Sequence, residues 1–104
     1  MKMEANLPIN PIHKRDNYIC QYCGRDGLAS LDDWHNLTTD HFIPSKHGGM
    51  DEEKNLITCC HYCNLIKGKK VFSSLEEARK YILKRRAELG ETYQKVRKTI
   101  KGAN

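Results

Sequence analysis

Two Cys-x-x-Cys pairs constrain this chain more than any other feature. Cys20 and Cys23 form the first and Cys60 and Cys63 the second, with 36 residues, 24 to 59, between them. Each pair sets two thiolates on one side of a tight turn, and two such turns complete a tetrahedron around a zinc ion. The gap exceeds that of a short zinc ribbon, so a sizeable element must sit between the knuckles. A fifth cysteine leaves the register open, because Cys59 with Cys63 is also an allowed ligand spacing. The match to the first knuckle favours Cys60, leaves Cys59 as a small buried residue and His61 as an exposed one. Redox chemistry is disfavoured, since no thioredoxin-like βαβ pattern surrounds either pair.

Composition says why such a staple is needed. The chain has 104 residues, enough for one domain, and only 38% of them are apolar, with one Trp and two Phe. A core that small leaves little surplus over chain entropy. An odd cysteine count argues against a closed disulfide set. The start, Met1 to Pro11, lacks the apolar run of a secretory signal. No stretch approaches the length needed to cross a bilayer. These features point to a reducing cytosol, where paired cysteines more often bind metal than bridge.

Three segments are expected. Residues 1 to 12 carry Pro8 and Pro11 and little pattern, and read as a flexible N-terminal arm. Residues 13 to 70 form the core. Within it, Leu37 to Ile43 is rich in β-formers and reads as a strand, Pro44 to Asp51 as a loop, and Asn55 to Thr58 as a second short strand. Cys60 to Lys67 reads as a short helix closed by Gly68. Residues 71 to 104 form a helical extension. Ser74 and Glu77 have capping-box spacing, and Leu75, Ala78, Ile82 and Leu89 recur at helical intervals until Gly90, which is expected to end or bend the helix, with Tyr93, Val96 and Ile100 continuing the pattern more weakly.

The segment between the knuckles holds Asp40-His41 on a strand and then Asn55, and Asn64 stands one residue past the second knuckle. Asp and Asn offer oxygen ligands suited to a hard cation such as Mg²⁺ or Mn²⁺. A histidine beside such a ligand can take a proton from water near neutral pH. The residues alone therefore suggest a second metal site, distinct from the zinc, with open positions for substrate. Each also has a bland explanation: Asp-His pairs are common on surfaces, and Asn suits turns and helix starts.

Their order and framing resemble a known family. Arg15 to Gly24, Thr39-Asp40-His41-Phe42-Ile43-Pro44, Gly48-Gly49, and Asn55 through Cys60, Cys63 and Asn64 to Gly68 look like the HNH endonucleases that carry extra zinc knuckles. The resemblance spans about residues 13 to 70. It implies an α+β fold, a small ββα-metal (His-Me finger) core stapled by a four-cysteine zinc site, here followed by a basic helix. It implies His41 as general base, Asp40 and Asn64 as ligands of one catalytic divalent metal, and Asn55 as the residue that holds the metal loop and orients the histidine. The doubled Cys59-Cys60 departs slightly from the pattern. Small free-standing members occur in restriction, mobile-element and phage-packaging settings, so a bacterial or phage context is expected.

Charge indicates the partner. Residues 1 to 66 hold 6 Lys/Arg and 9 Asp/Glu, a net of −3, whereas residues 67 to 104 hold 12 and 4, a net of +8. A polyanion suits so basic a segment; a solvated helix face is the plainer reading. Lys67, Lys69, Lys70, Lys84, Arg85 and Arg86 are the expected nucleic-acid contacts, although Lys67 could equally offset the dipole of its own helix. The expected activity is hydrolysis of DNA phosphodiester bonds, with RNA not excluded. The rival is a non-catalytic zinc module that binds nucleic acid, which explains the zinc and the basic tail but not Asp40, His41 and Asn64.

Overall fold

The computed structural model describes residues 7–102. Its elements are α1 (Pro11–Arg15), α2 (Leu31–His35), β1 (Leu37–His41), β2 (Leu56–Cys60), α3 (His61–Lys67) and α4 (Leu75–Lys101), with single 3-10 turns at Ser45–His47 and Glu53–Asn55. β1 and β2 form one antiparallel ribbon in which Leu37 faces Cys60 and His41 faces Leu56. α3 follows β2 without a linker and packs on the ribbon, which gives the expected ββα unit.

The boundaries differ from expectation in places. Residues 1 to 6 of the expected arm lie outside the described residues, and its last three, Asn10 to Ile12, belong to the start of α1. The Asn10 side chain caps α1 by accepting from Ile12 N and His13 N, Pro11 occupies the first turn, and Ile12 is buried. α2 went unforeseen; Ser30 caps it by accepting from Asp33 N. α4 runs unbroken through Gly90 rather than ending there, because packing of its first half nucleates a helix that one exposed glycine, at about 1 kcal/mol, cannot stop. Ser74 accepts from Glu77 N as the capping spacing predicts, while the Glu77 carboxylate takes the Ser73 hydroxyl instead of reaching back to the cap.

Arg15 ties α1 to the ribbon. Its guanidinium donates to the carbonyls of Glu53 (2.8 Å) and Leu56 (2.6 Å) and pairs with Asp16 at 2.8 Å. Asp16 in turn accepts from Thr58 N at 3.1 Å. The chain then turns through Asn17 and Tyr18, both in the left-handed region at φ 56°, and enters the first knuckle, where Gln21 N donates to Thr58 O.

The buried core is built mainly from cysteine. Cys20, Cys59, Cys60 and Cys63 cluster with Tyr22, Ala78 and Ile82, and Phe42, Ile57, Ile66, Phe72 and Leu75 lean on them from partly exposed positions. Among the described residues only Ile82 is a large aliphatic side chain shut off completely from solvent. Apolar burial of that size does not hold 100 residues together, so the centre of the fold is also where a metal staple would act.

Candidate active site and tetracysteine centre

Both knuckles are built alike. In the first, Cys20 Sγ accepts from Cys23 N at 3.4 Å; in the second, Cys60 Sγ accepts from Cys63 N at 3.5 Å and serves as the cap of α3. Gly24 ends the first turn at φ 81°, a conformation that favours glycine. The four sulfurs lie within 4.8 Å of one another, and Cys23 Sγ is 3.8 Å from Cys60 Sγ. Zn–S bonds of ordinary length in a tetrahedron require sulfur–sulfur edges of about 3.8 Å. The donor set and its spacing thus fit zinc. Without a cation the thiols cannot all ionise together: hydrogen bonds from Cys60 and Cys63 lower the Cys20 pKa, whereas hydrogen bonds to Cys20 and Cys60 raise that of Cys63. Cys59 stays outside the cluster, fully buried, its thiol pushed up by burial and then by Asp40. The structure thereby selects Cys60 over Cys59, as the knuckle spacing suggested, and His61 is exposed.

A second centre lies at the far end of the ribbon. Asp40 and His41 end β1, Asn64 sits in the middle of α3, and all three line one open cavity of about 490 Å³ with Thr39, Ser45, Lys46 and Lys69. The convergence follows from the fold, because α3 starts at the knuckle and runs back along β1. The His41 ring is held by Asp51, whose Oδ1 is 3.2 Å from Nε2. Asn55 is buried and clasps the intervening loop: its Oδ1 accepts from Ile43 N (2.8 Å), and its Nδ2 donates to the carbonyls of Ile43 (3.0 Å) and Met50 (2.9 Å). Gly49 is sterically required there, since a Cβ would come within 1.6 Å of Ile43 O.

Asp40 is not a free carboxylate. Its Oδ2 accepts from the Tyr22 hydroxyl at 2.8 Å and lies 3.1 Å from Lys67 Nζ, which also donates to His41 O. Burial, followed by the charge of Asp40, drives the Tyr22 pKa far up, so the phenol remains a donor. Asp40 nonetheless lines the cavity. The expectation that Lys67 meets a phosphate is corrected: its side chain is 0% exposed and its ammonium is committed to Asp40 and His41 O, because the turn of α3 that carries it faces the ribbon.

The remaining basic residues divide. Lys69 lines the cavity mouth, Lys70 lies over the Tyr81 ring at 5.4 Å, and Lys84 and Arg85 are exposed, Arg85 next to Glu88 at 3.5 Å. Arg86, half-buried, is placed differently from these. It does not point outward with its neighbours but lies 4.3 Å over the Tyr62 ring, with Nη1 3.7 Å from Cys63 Sγ, since its position on α4 turns toward the second knuckle. Burial opposes its charge, but the cysteines outweigh that and raise its pKa.

Sequence reasoning missed Tyr22, Asp51, and the pairing of Lys67 with Asp40. Tyr22 stands between the knuckle cysteines, a position that put it near the metal staple without saying that it reaches β1. Nothing in the loop sequence around Asp51 signalled its contact with His41.

Ribbon, crossing helix and paired knuckles define a small ββα unit, with a tetracysteine cluster at one end and a polar cavity at the other. The family model described as HNH endonuclease matches residues 20–70. The chain carries an HNH endonuclease domain over that segment, and α4 lies beyond it. Comparison with curated proteins and with solved structures returns no match. No described helix is long and apolar enough to cross a membrane.

Proposed function

We propose that this chain is a metal-dependent endonuclease that hydrolyses DNA phosphodiester bonds, with zinc held structurally by Cys20, Cys23, Cys60 and Cys63. The observation that carries this reading is the convergence of Asp40, His41 and Asn64 on one open cavity whose rim bears Lys46 and Lys69. Asp40 and Asn64 offer oxygen donors that suit Mg²⁺ or Mn²⁺. Such an ion supplies Lewis acidity to a phosphate oxygen and to the departing 3′-oxygen. His41 accepts a proton from the attacking water, and Asp51 keeps its ring turned to do so. Asn55 acts on the reaction indirectly, by fixing the loop that frames the cavity. Lys69 steadies the entering phosphate at the rim, and Lys84 and Arg85 track the backbone further along. Nothing in this scheme uses a 2′-hydroxyl, which is why DNA is the proposed substrate. Five cysteines, none of them in a disulfide, suit a reducing cytosol.

A non-catalytic nucleic-acid-binding zinc module is the second reading. One observation favours it: Lys67 already neutralises Asp40, which weakens any cation site built on that carboxylate.

Incubation of supercoiled plasmid with the protein, with Mg²⁺ or Mn²⁺ or with chelator, separates the two. Nicking that needs the divalent ion and disappears in His41→Ala, with fold and zinc content kept, supports the nuclease. A mobility shift with no cleavage under any metal supports the binding module.

A further inference from the structure

The segment beyond the HNH match touches both zinc knuckles. Ala78 and Ile82 of α4 are fully buried in the same cluster as Cys20, Cys60 and Cys63. On one side of them Arg79 Nε donates to Gln21 O, inside the first knuckle, at 2.6 Å. On the other, one helical turn past Ile82, Arg86 reaches Cys63 Sγ at 3.7 Å and stacks over Tyr62, inside the second knuckle, at 4.3 Å. A zinc ion bound by four thiolates carries a double negative charge, and in a core this small that charge needs compensation. The backbone donors to Cys20 and Cys60 carry no formal charge.

From this arrangement we propose that Arg86 is an outer-sphere residue of the zinc centre, a cation that α4 delivers to Cys63 to offset the thiolate charge and slow loss of the metal. The guanidinium suits the place better than an ammonium would. It is weakly hydrated, lies over the Tyr62 ring at 4.3 Å, and still presents an N–H edge to sulfur. Holding Cys63 Sγ in an N–H···S contact reduces the electron density open to a competing proton and covers the sulfur on that side. α4 is then a wall of the metal site, and a charge that the sequence assigned to a polyanion surface has a structural use at this position.

The proposal rests on the tetracysteine centre holding zinc, so zinc content is measured first; a folded chain purified from zinc-supplemented medium without zinc overturns that assignment itself. With zinc present, its release from the full chain to an excess of chromogenic chelator is followed for wild type, Arg86→Gln, Arg86→Lys and Lys80→Gln, with far-UV circular dichroism as a check on folding. Arg86→Gln is expected to release zinc about 10- to 100-fold faster, the affinity loss typical of removing an outer-sphere partner falling on the release rate. Arg86→Lys, which keeps the charge but not the fork, falls between it and wild type. Lys80→Gln, an exposed cation of the same helix, stays at the wild-type rate. With ¹¹³Cd in place of zinc, Arg86→Lys moves the cadmium resonance without altering the helical signal. Release from Arg86→Gln at the wild-type rate overturns the proposal, as does equal acceleration in Lys80→Gln. Should Arg86→Gln fail to fold, Arg86→Lys decides: a wild-type release rate and an unmoved cadmium resonance overturn it.

Discussion

Lys67 Nζ lies 3.1 Å from Asp40 Oδ2, and the lysine that makes this ion pair is entirely closed to solvent. Asp40 is the residue the family pattern gives to the catalytic metal, so one carboxylate serves a structural cation and a proposed catalytic one.

Lys67→Met should therefore act on two properties at once. Removing one member of a buried pair leaves an uncompensated carboxylate and typically costs about 3–5 kcal/mol. A divalent ion would then be the only cation beside Asp40. Thermal melts are expected to show a lower Tm for the variant and a larger rise on adding Mn²⁺ than wild type shows. Equal Mn²⁺ responses in the two proteins would separate Asp40 from the metal.

Cys59 and Cys60 are neighbours with different duties. Cys59→Ala should keep about one zinc per chain, since its thiol lies outside the cluster of four. Cys60→Ala should lose the zinc and, with it, both the cap of α3 and the folded state. Metal analysis of the two purified variants, alongside circular dichroism, checks this; equal zinc loss would put Cys59 among the ligands.

Asp16 sets an acid limit on stability. Burial raises its pKa, but the hydrogen bonds from Arg15 and Thr58 outweigh burial and leave the folded value below the ordinary 3.8. A depressed folded pKa means that the folded state holds the proton less tightly than the unfolded chain. The stabilisation is thus complete above 3.8 and is lost as pH falls through the folded value. Asp16→Asn should lower stability at pH 7 and flatten the fall of stability below pH 4, which denaturant titrations across pH would show. An unchanged acid profile would assign that transition to other groups.

Lys84 and Arg85 are exposed on α4, whereas Lys67 is buried and Arg86 leans on Tyr62. Reversing both to Glu should weaken binding to many DNA sequences alike and flatten its salt dependence, because phosphate contacts act mainly through counterion release. Thermal stability should change little. Fluorescence anisotropy over a salt series is the measurement; a wild-type salt slope would place the DNA path elsewhere.

Gly90 sits inside α4 for no steric reason, since a Cβ there would meet nothing within 4 Å. Gly90→Ala should stabilise α4 by about 0.5–1 kcal/mol. Circular dichroism should show a higher Tm; no change would mean that residues 90 to 101 melt separately from the core.

What the sequence by itself determined is local or carried by spacing. Cys20-x-x-Cys23 and Cys60-x-x-Cys63 specify two like turns, the β-formers from Leu37 specify a strand, and Ser74 with Glu77 marks where a helix starts. The ordered run of Asp40, His41, Asn55 and Asn64 marked the cavity and the loop clasp. Tertiary structure decided which side chains meet across elements. Tyr22 reaches Asp40, Asp51 reaches His41, and Arg15 reaches Glu53 and Leu56, because the ribbon brings together segments that are distant in the chain. It also separated cations that look alike in sequence. Lys67, Lys84, Arg85 and Arg86 were read as one basic surface, yet rotation about two helix axes buries the first beside a carboxylate, seats the last on a cysteine sulfur and leaves the middle pair in solvent. Composition registers a positive charge wherever it occurs; only packing determines which negative group it faces.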